Sequence, residues 1–464
     1  MTSRKKIFIR LKNSAVFLLT VFILFFLLNL LFPLPDKIQY STIVTDNKNE
    51  VIHAFLTEDE KWRMKMLPHE ISPLLRKTII RKEDKYFYYH PGINPLAVLR
   101  AIFNNLISNK RTSGASTITM QVARSLEPGR RTWLKKVAEM FRALQLEWKY
   151  SKEEILLLYI NHIPYGGNIE GVKSAAVLYF EKNPDHLSLA EVVTLSIIPN
   201  RPSSLVIGRN NQVIVTERNR WLKRFEKEKL FTQNEISDAL AEPLSAYRHS
   251  VPQLIPHLSL KLKQEGGDVI HTCIDLNTQQ KVDKLVKDNT RRLYLKNIRN
   301  AAVIVIDNRT HEVISYTGSA DFYDTTDAGQ VNGAAAVRQP GSTLKPLLYA
   351  MCFDEGIMTP HSSLLDVAVN YSGYTPENYD RKFYGTVSMK FALDHSLNVP
   401  AVQALGKIGK EKFIQKLALA DFDQVKKDQK KLGLSLILGG CGATLEELTV
   451  LYTTFAHEGK YFSP

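Results

Sequence analysis

Cysteine is scarce in this chain: Cys273, Cys352 and Cys441 are the only three among 464 residues. They stand far apart and form no CxxC pair, which excludes a disulfide scaffold and argues against a zinc ribbon. Long hydrophobic runs are also nearly absent. Only one stretch is long enough to cross a bilayer as a helix, so a polytopic membrane protein is excluded. Acidic residues are in deficit, 47 against 61 Lys and Arg, and the net charge is +14. That balance favours an anionic partner: nucleic acid, a membrane surface or a phosphorylated substrate. The composition is otherwise ordinary, 44% hydrophobic and 23% charged, which excludes wholesale disorder and a collagen-like fibre. The length accommodates about two to three domains.

The single apolar run spans Ala15–Phe32 and is broken only by Thr20 and Asn29. Arg4, Lys5, Lys6, Arg10 and Lys12 precede it. No small-residue cleavage site follows, so the expectation is an uncleaved signal anchor rather than a cleaved signal peptide. Residues 1–13 are then a cytoplasmic tail and 14–34 a transmembrane helix, with the bulk outside. An outside body makes nucleic acid an unsuitable partner and turns the positive charge toward anionic lipid or a pyrophosphate.

Beyond the anchor, 45–220 reads as mostly helical. Ser72-Pro73 is an N-cap followed by proline at the first helical position, and the helix runs into Glu83. A carboxylate at a helix C-terminus meets the negative end of the helix dipole, which suits a proton acceptor. The run EDKYFYYHPG (83–92) follows, then an apolar helix expected over 95–107. Next comes GASTITMQ (114–121), a small-residue, hydroxyl-rich stretch able to bring NH and OH donors to an anion. Trp133, Val137, Met140, Phe141, Leu144 and Trp148 recur at helical spacing and are expected in the core. Lys135, Lys136 and Glu139 fall off that stripe. Ser151 to Glu154 is a capping box. PYGGNIEG (164–171) breaks the next helix, and a further apolar helix is expected from Leu187 to Ile198.

These strings, in this order, resemble the five motifs of the family 51 peptidoglycan glycosyltransferases. Glu83–Gly92 is similar to the first, Gly114–Gln121 to the second, Lys135–Glu139 to the third, 155–180 with Asn161 to the fourth, and Leu187–Ser203 to the fifth. The resemblance implies a lysozyme-like, mainly α domain. It would polymerise lipid II onto a growing glycan strand with inversion at the anomeric carbon. Glu83 is then the base for the acceptor 4-hydroxyl, and Glu139 lies near the donor pyrophosphate. Ser116, Thr117, Gln121, Arg124, Lys135, Lys136 and Asn161 are the expected substrate-binding residues. No metal ligand is assigned, although a divalent Mg or Mn beside Glu139 is compatible with the resemblance. The 95–107 helix is similar to the family's membrane-embedded jaw, with a plain core helix as the alternative.

Residues 221–290 read as a connector. In 291–464, Ala301–Ile306 and Val313–Tyr316 flank Asp307-Asn308, a hairpin signal. Then QPGSTLKP (339–346) places Ser342 and Lys345 one helical turn apart, where an unprotonated lysine activates a serine. Ser396-Leu-Asn398 resembles the Ser-x-Asn element of penicillin-recognising serine enzymes. With GYTPEN (373–378) the region resembles the transpeptidase domain of the 1C branch of the class A penicillin-binding proteins. The implied fold is α/β and serine β-lactamase-like, and β-lactams are implied ligands. The family's Lys-Thr-Gly element does not occur before Pro464. The expectation is a partial, C-terminally truncated domain, from a fragment or a truncated gene, with weakened acylation. Two rivals stand beside this reading: a membrane-anchored glycan hydrolase, and a non-catalytic penicillin-binding scaffold.

Overall fold

The computed structural model describes residues 13, 16, 19–20, 22–35, 38–100, 116–129 and 132–463. The chain divides into two compact units. The first holds residues up to Thr45, Glu50–Gln253 and Gly266–Ile270, and the second the remainder. The stretch 221–290, expected as a connector, is thus shared out: up to Gln253 it packs within the first unit, and from His271 onward within the second.

The first unit is mainly helical. Its named helices are α1 (Pro73–Glu83), α2 (Ile118–Leu126), α3 (Trp133–Lys149), α4 (Lys152–His162), α5 (Val172–Phe180), α6 (Leu189–Ile197), α7 (Asn211–Lys227) and α8 (Gln233–Ala241). Caps set their starts as the sequence predicts. Ser72 Oγ accepts from Leu75 N at 3.2 Å, and Ser151 and Glu154 close a reciprocal capping box. Every residue of α6 is buried. It packs against α1 and α7, so a short, fully buried helix, whose Thr194 and Ser196 hydroxyls donate to backbone carbonyls one turn back, lies in the core of the first unit. A small sheet of order β2-β1-β5 flanks the bundle, with β1 (Ile43–Thr45), β2 (Val51–Ala54) and β5 (Val269–His271). The hairpin β3 (Pro164–Gly166) and β4 (Ile169–Glu170) carries the glycine-rich break after α4.

One sequence expectation is overturned. Of the α3 stripe, Trp133 is 82% exposed and Val137 and Trp148 are exposed too, while Met140, Phe141 and Leu144 are half-buried. The buried face carries Glu139, Ala143, Gln145 and Leu146 instead. Helical spacing reports that apolar residues share a face, not which side that face turns to. Part of the stripe packs on residues 22–32. Phe25 lies edge-on to Phe141 at 5.8 Å and Phe22 edge-on to Trp148 at 6.1 Å. Gln145 Nε2 donates to Asn29 Oδ1 and to the Phe32 carbonyl, both at 2.8 Å.

Residues 22–31 are helical, but among the described residues no helix is long and apolar enough to cross a membrane. The expected 95–107 helix is helical over 95–100, and its remainder, with Arg111–Ala115, lies outside the described residues.

The second unit contains α9 (Pro256–Glu265), α10 (Leu276–Leu293), the antiparallel hairpin β6 (Val303–Ile306) and β7 (Val313–Thr317), and α11 (Lys345–Asp354). A second antiparallel pair follows, β8 (Ser363–Asp366) and β9 (Gly385–Ser388), then α12 (Asn398–Ile408), α13 (Lys410–Leu419) and α14 (Leu445–Thr453). Helices α10 and α14 pack on the β6-β7 hairpin. The largest apolar cluster here joins α11, α12 and α13 through Leu348, Val402, Leu405 and Phe413.

Asn161, expected at the substrate, is a structural clamp. It is buried, its Oδ1 accepts from Met66 N at 2.8 Å and its Nδ2 donates to Met66 O at 3.1 Å. Met66 is itself fully buried, so water cannot replace either bond. Asn161→Ala should therefore lower the stability of the first unit by about 1–3 kcal/mol. The check is its unfolding midpoint in denaturant, and an unchanged midpoint would refute the clamp.

Candidate active sites

The first site is built around α2. The loop after α1 folds back on Asp84, whose carboxylate accepts from His90 Nε2 at 2.9 Å and from the Ile118 backbone NH at 3.1 Å. His90 is thus a buried partner of Asp84. Thr117 caps α2 through Met120 N at 3.1 Å, and its hydroxyl donates to the Gly92 carbonyl at 2.5 Å. Gly92 has φ +82°, and a Cβ there would stand 2.9 Å from the Ala143 carbonyl. Only glycine lets this loop approach α3 so closely.

With α2 fixed, its side chains reach two carboxylates. Gln121 Nε2 donates to Glu83 Oε2 at 2.8 Å. One turn on, Arg124 donates to both oxygens of Glu139, from Nε at 2.8 Å and from Nη2 at 3.0 Å. Lys136 adds a bond to Glu139 Oε2 at 3.0 Å and one to Ser116 Oγ at 2.8 Å. Arg124 Nη2 also reaches Ser116 Oγ at 3.3 Å. Of the expected residues, Ser116, Arg124, Lys136 and Glu139 thus form one cluster, and Gln121 and Glu83 a second. Lys135 stands apart, 3.8 Å from Glu127.

The two carboxylates differ in environment. Burial would raise the pKa of Glu139, but the hydrogen bonds and charges of Arg124 and Lys136 outweigh it and hold the carboxyl below its ordinary range. Glu139 is therefore ionised, with two half-exposed cations in front of it. Glu83 is met instead by the ammonium of Lys82.

Both oxygens of Glu139 are already taken by Arg124 and Lys136, and among the described residues no three His, Cys, Asp or Glu side chains gather as ligands.

The second site lies at the start of α11. Ser342 is exposed on a 3-10 turn, Gly341–Leu344, that leads into the helix. Gly439 has φ +94°, and a Cβ there would come within 2.6 Å of Gly341 N, so the turn before the serine leaves room only for glycine. Lys345 is buried, and its Nζ donates to the Ser396 carbonyl at 2.7 Å, to Asn398 Oδ1 at 2.8 Å and to Ser396 Oγ at 3.3 Å. Burial pushes its pKa down to about 8. Ser396 itself is held in the left-handed region, φ +51°. The structure thus brings Lys345, Ser396 and Asn398 into direct contact, one turn beyond Ser342.

Sequence reasoning gave no role to the residues that hold Asn398. Asn378 Oδ1 accepts from Asn398 N at 2.7 Å, and Asn378 Nδ2 donates to the carboxylate of Asp366 at 2.9 Å. Asp366 is fully buried. The signal for Asn378 was the GYTPEN string, whereas nothing in the sequence marks Asp366.

The transglycosylase family model matches residues 48–226, and the penicillin binding protein transpeptidase domain model matches 301–464. Among curated relatives, penicillin-binding protein 1C of Escherichia coli is 36% identical over 93% of this chain and 56% of its own length. Penicillin-binding protein 1F of Bacillus subtilis is 29% identical over 91% and 60%. The chain therefore spans under two thirds of the length of these relatives. The crystal structure of penicillin-binding protein 1A from Haemophilus influenzae aligns with a TM-score of 0.45 at 17% identity, over 90% of this chain and 68% of that one. Residues 48–226 thus match the transglycosylase family and residues 301–464 the penicillin binding protein transpeptidase domain, in a chain that is similar to penicillin-binding protein 1C over most of its length.

Proposed function

We propose that the first domain is a peptidoglycan glycosyltransferase that polymerises lipid II and releases undecaprenyl diphosphate. Glu83 takes the proton of the acceptor 4-hydroxyl, and Arg124 and Lys136, steadied by Ser116, receive the leaving pyrophosphate. Lys135, 3.8 Å from Glu127, supplies further positive charge on the same helix as Lys136. The observation that carries this reading is the state of Glu139. A glycan hydrolase needs a protonated carboxylic acid to give the leaving sugar its proton. Glu139 is ionised and tied to two cations. It cannot supply that proton, and a pyrophosphate, which departs as an anion, does not need it.

Glu83→Gln keeps the shape and removes the base, so glycan synthesis from purified lipid II should fall by about two to four orders of magnitude. Glu139→Gln should cost less, because Arg124 and Lys136 remain but lose their anchor. Chain growth by the Glu83 variant at near the parental rate would rule out the assignment.

The apolar face of α3, lying beside residues 22–32, supports seating of this domain at a bilayer with Ala15–Phe32 as its anchor and the bulk in the periplasm. Protease added outside spheroplasts should digest residues beyond 40. Protection of those residues, or a mature N-terminus after residue 30, would contradict the topology.

In the second domain Ser342 is the proposed nucleophile toward a peptide or β-lactam carbonyl, and neutral Lys345 the base that takes its proton. Ser396 relays that proton and Asn398 holds the substrate amide. Lys345 has a pKa of about 8, so its neutral fraction rises with pH. Ser342-dependent labelling by fluorescent penicillin should therefore climb through pH 7–9, and at pH 6 be about a hundredfold slower than on the plateau. A flat profile would remove Lys345 from that role, and Ser342→Ala gives the blank. The Lys-Thr-Gly element does not occur in residues 1–464. A polypeptide of these residues alone should accordingly label slowly at every pH and not cross-link peptides, for want of some oxyanion stabilisation.

A further inference from the structure

Lys82 and Glu83 are consecutive residues at the end of α1, and neighbours in a helix do not ordinarily face one another. Here both side chains turn inward, with 1% and 6% of their surface exposed. Lys82 Nζ donates to Glu83 Oε1, while Gln121 Nε2 donates to Oε2. The same ammonium lies 5.7 Å from the centroid of the Trp221 ring on α7, within reach of a cation–π attraction. A long, strongly hydrated side chain has thus been withdrawn from water to meet one carboxylate and one aromatic face. A surface lysine would avoid that desolvation.

We propose that Lys82 is a positioning residue of the glycosyltransferase site, gripping the Glu83 carboxylate from one side as Gln121 does from the other, and that loss of its proton sets the alkaline limit of turnover. This rests on the reading of Glu83 as the base. Each carboxylate oxygen accepts more than one hydrogen bond, so the grip leaves lone pairs for the acceptor hydroxyl while stopping the carboxylate from swinging. Orientation of this kind is worth a large part of a general base's contribution.

The groups that face the pair are few. Tyr159 of α4 and Tyr165 of β3 lie in the field of Glu83, and burial, with that charge, raises both phenols far above their ordinary values, so they stay neutral. Arg224 of α7 stands 4.8 Å from the Trp221 ring and pairs with Glu228. Arg81, next along α1, is also paired with Glu228, at 2.7 Å. Burial pulls Lys82 below the ordinary lysine value, against the opposing pull of Glu83. The sign follows: the grip is complete while Lys82 is protonated, and it weakens as pH rises through that lowered value, before an ordinary lysine would titrate. An arginine, charged throughout, would not lose it.

The test is polymerisation of lipid II by the full chain across pH 6–10, for the parent, K82M, K82R and E83Q, with thermal unfolding of each. K82M should lower kcat about tenfold or more, leave KM within about twofold, and lack the parent's alkaline fall. K82R should retain turnover to higher pH than the parent. The proposal is overturned if K82M keeps the parental kcat, or if K82R and the parent lose activity at the same alkaline pH. Should K82M fail to fold, the comparison of K82R with the parent still decides. An E83Q variant that polymerises normally overturns the reading of the base itself. An inactive E83Q beside an unaffected K82M overturns the role of Lys82 alone.

Discussion

The first site depends on how α2 is held at its N-terminus. Two side chains meet the free NH groups there: Thr117 satisfies Met120 N and the Asp84 carboxylate satisfies Ile118 N. A negative group at this end also complements the helix dipole. Asp84 is in turn held by His90, so the loop after α1 and the start of α2 are one hydrogen-bonded unit. Everything functional in the first domain is measured from that joint. Glu83 immediately precedes Asp84, and Gln121 and Arg124 are spaced one turn apart, which points them along one helix face. One reaches Glu83 and the other Glu139. Two carboxylates from different helices thereby acquire a fixed relation through a third.

Much of this was legible in the sequence because it is local. Ser72, Ser151 and Thr132 begin their helices through bonds to residues three positions on, and a cap is written within four consecutive letters. The motif strings likewise singled out Glu83 and Glu139, which α2 contacts, and Lys345, which contacts Ser396 and Asn398. What the sequence concealed is pairing across long separations. Asn161 has the same letters whether it meets a substrate or the backbone of Met66, 95 residues away. Asp366 belongs to the second site only because Asn378 bridges it to Asn398.

The α3 stripe failed for a different reason. Periodicity assigns residues to faces, and in a water-soluble protein the apolar face is the core. Here the core-facing side of α3 carries Glu139 and Gln145, each satisfied by a partner: Arg124 and Lys136 for the first, the Asn29 side chain and Phe32 carbonyl for the second. A polar residue is buried at tolerable cost when its hydrogen bonds are filled. The apolar side is then free to face outward, beside the segment read as an anchor. The rule that maps apolar to inside presumes water outside, and near a bilayer that presumption lapses.

The two buried lysines differ in the partners that meet them. Desolvation lowers both, since each ammonium leaves water. Lys345 is then met only by dipoles: a carbonyl, a hydroxyl and an amide oxygen. These orient the amine without a full opposing charge, and a value of about 8 leaves it able to give up its proton near neutral pH. Lys82 is met by a whole carboxylate and an aromatic face. An opposite charge at contact pulls back toward the protonated form, although burial still leaves Lys82 below the ordinary lysine value. The difference lies in one formal charge within hydrogen-bond reach. It also explains why the lysine of the second site had a sequence signature and that of the first had none. A lysine proposed as a base must sit at a set spacing from its proposed nucleophile, whereas one proposed only to hold a carboxylate can come from any position the fold brings to it.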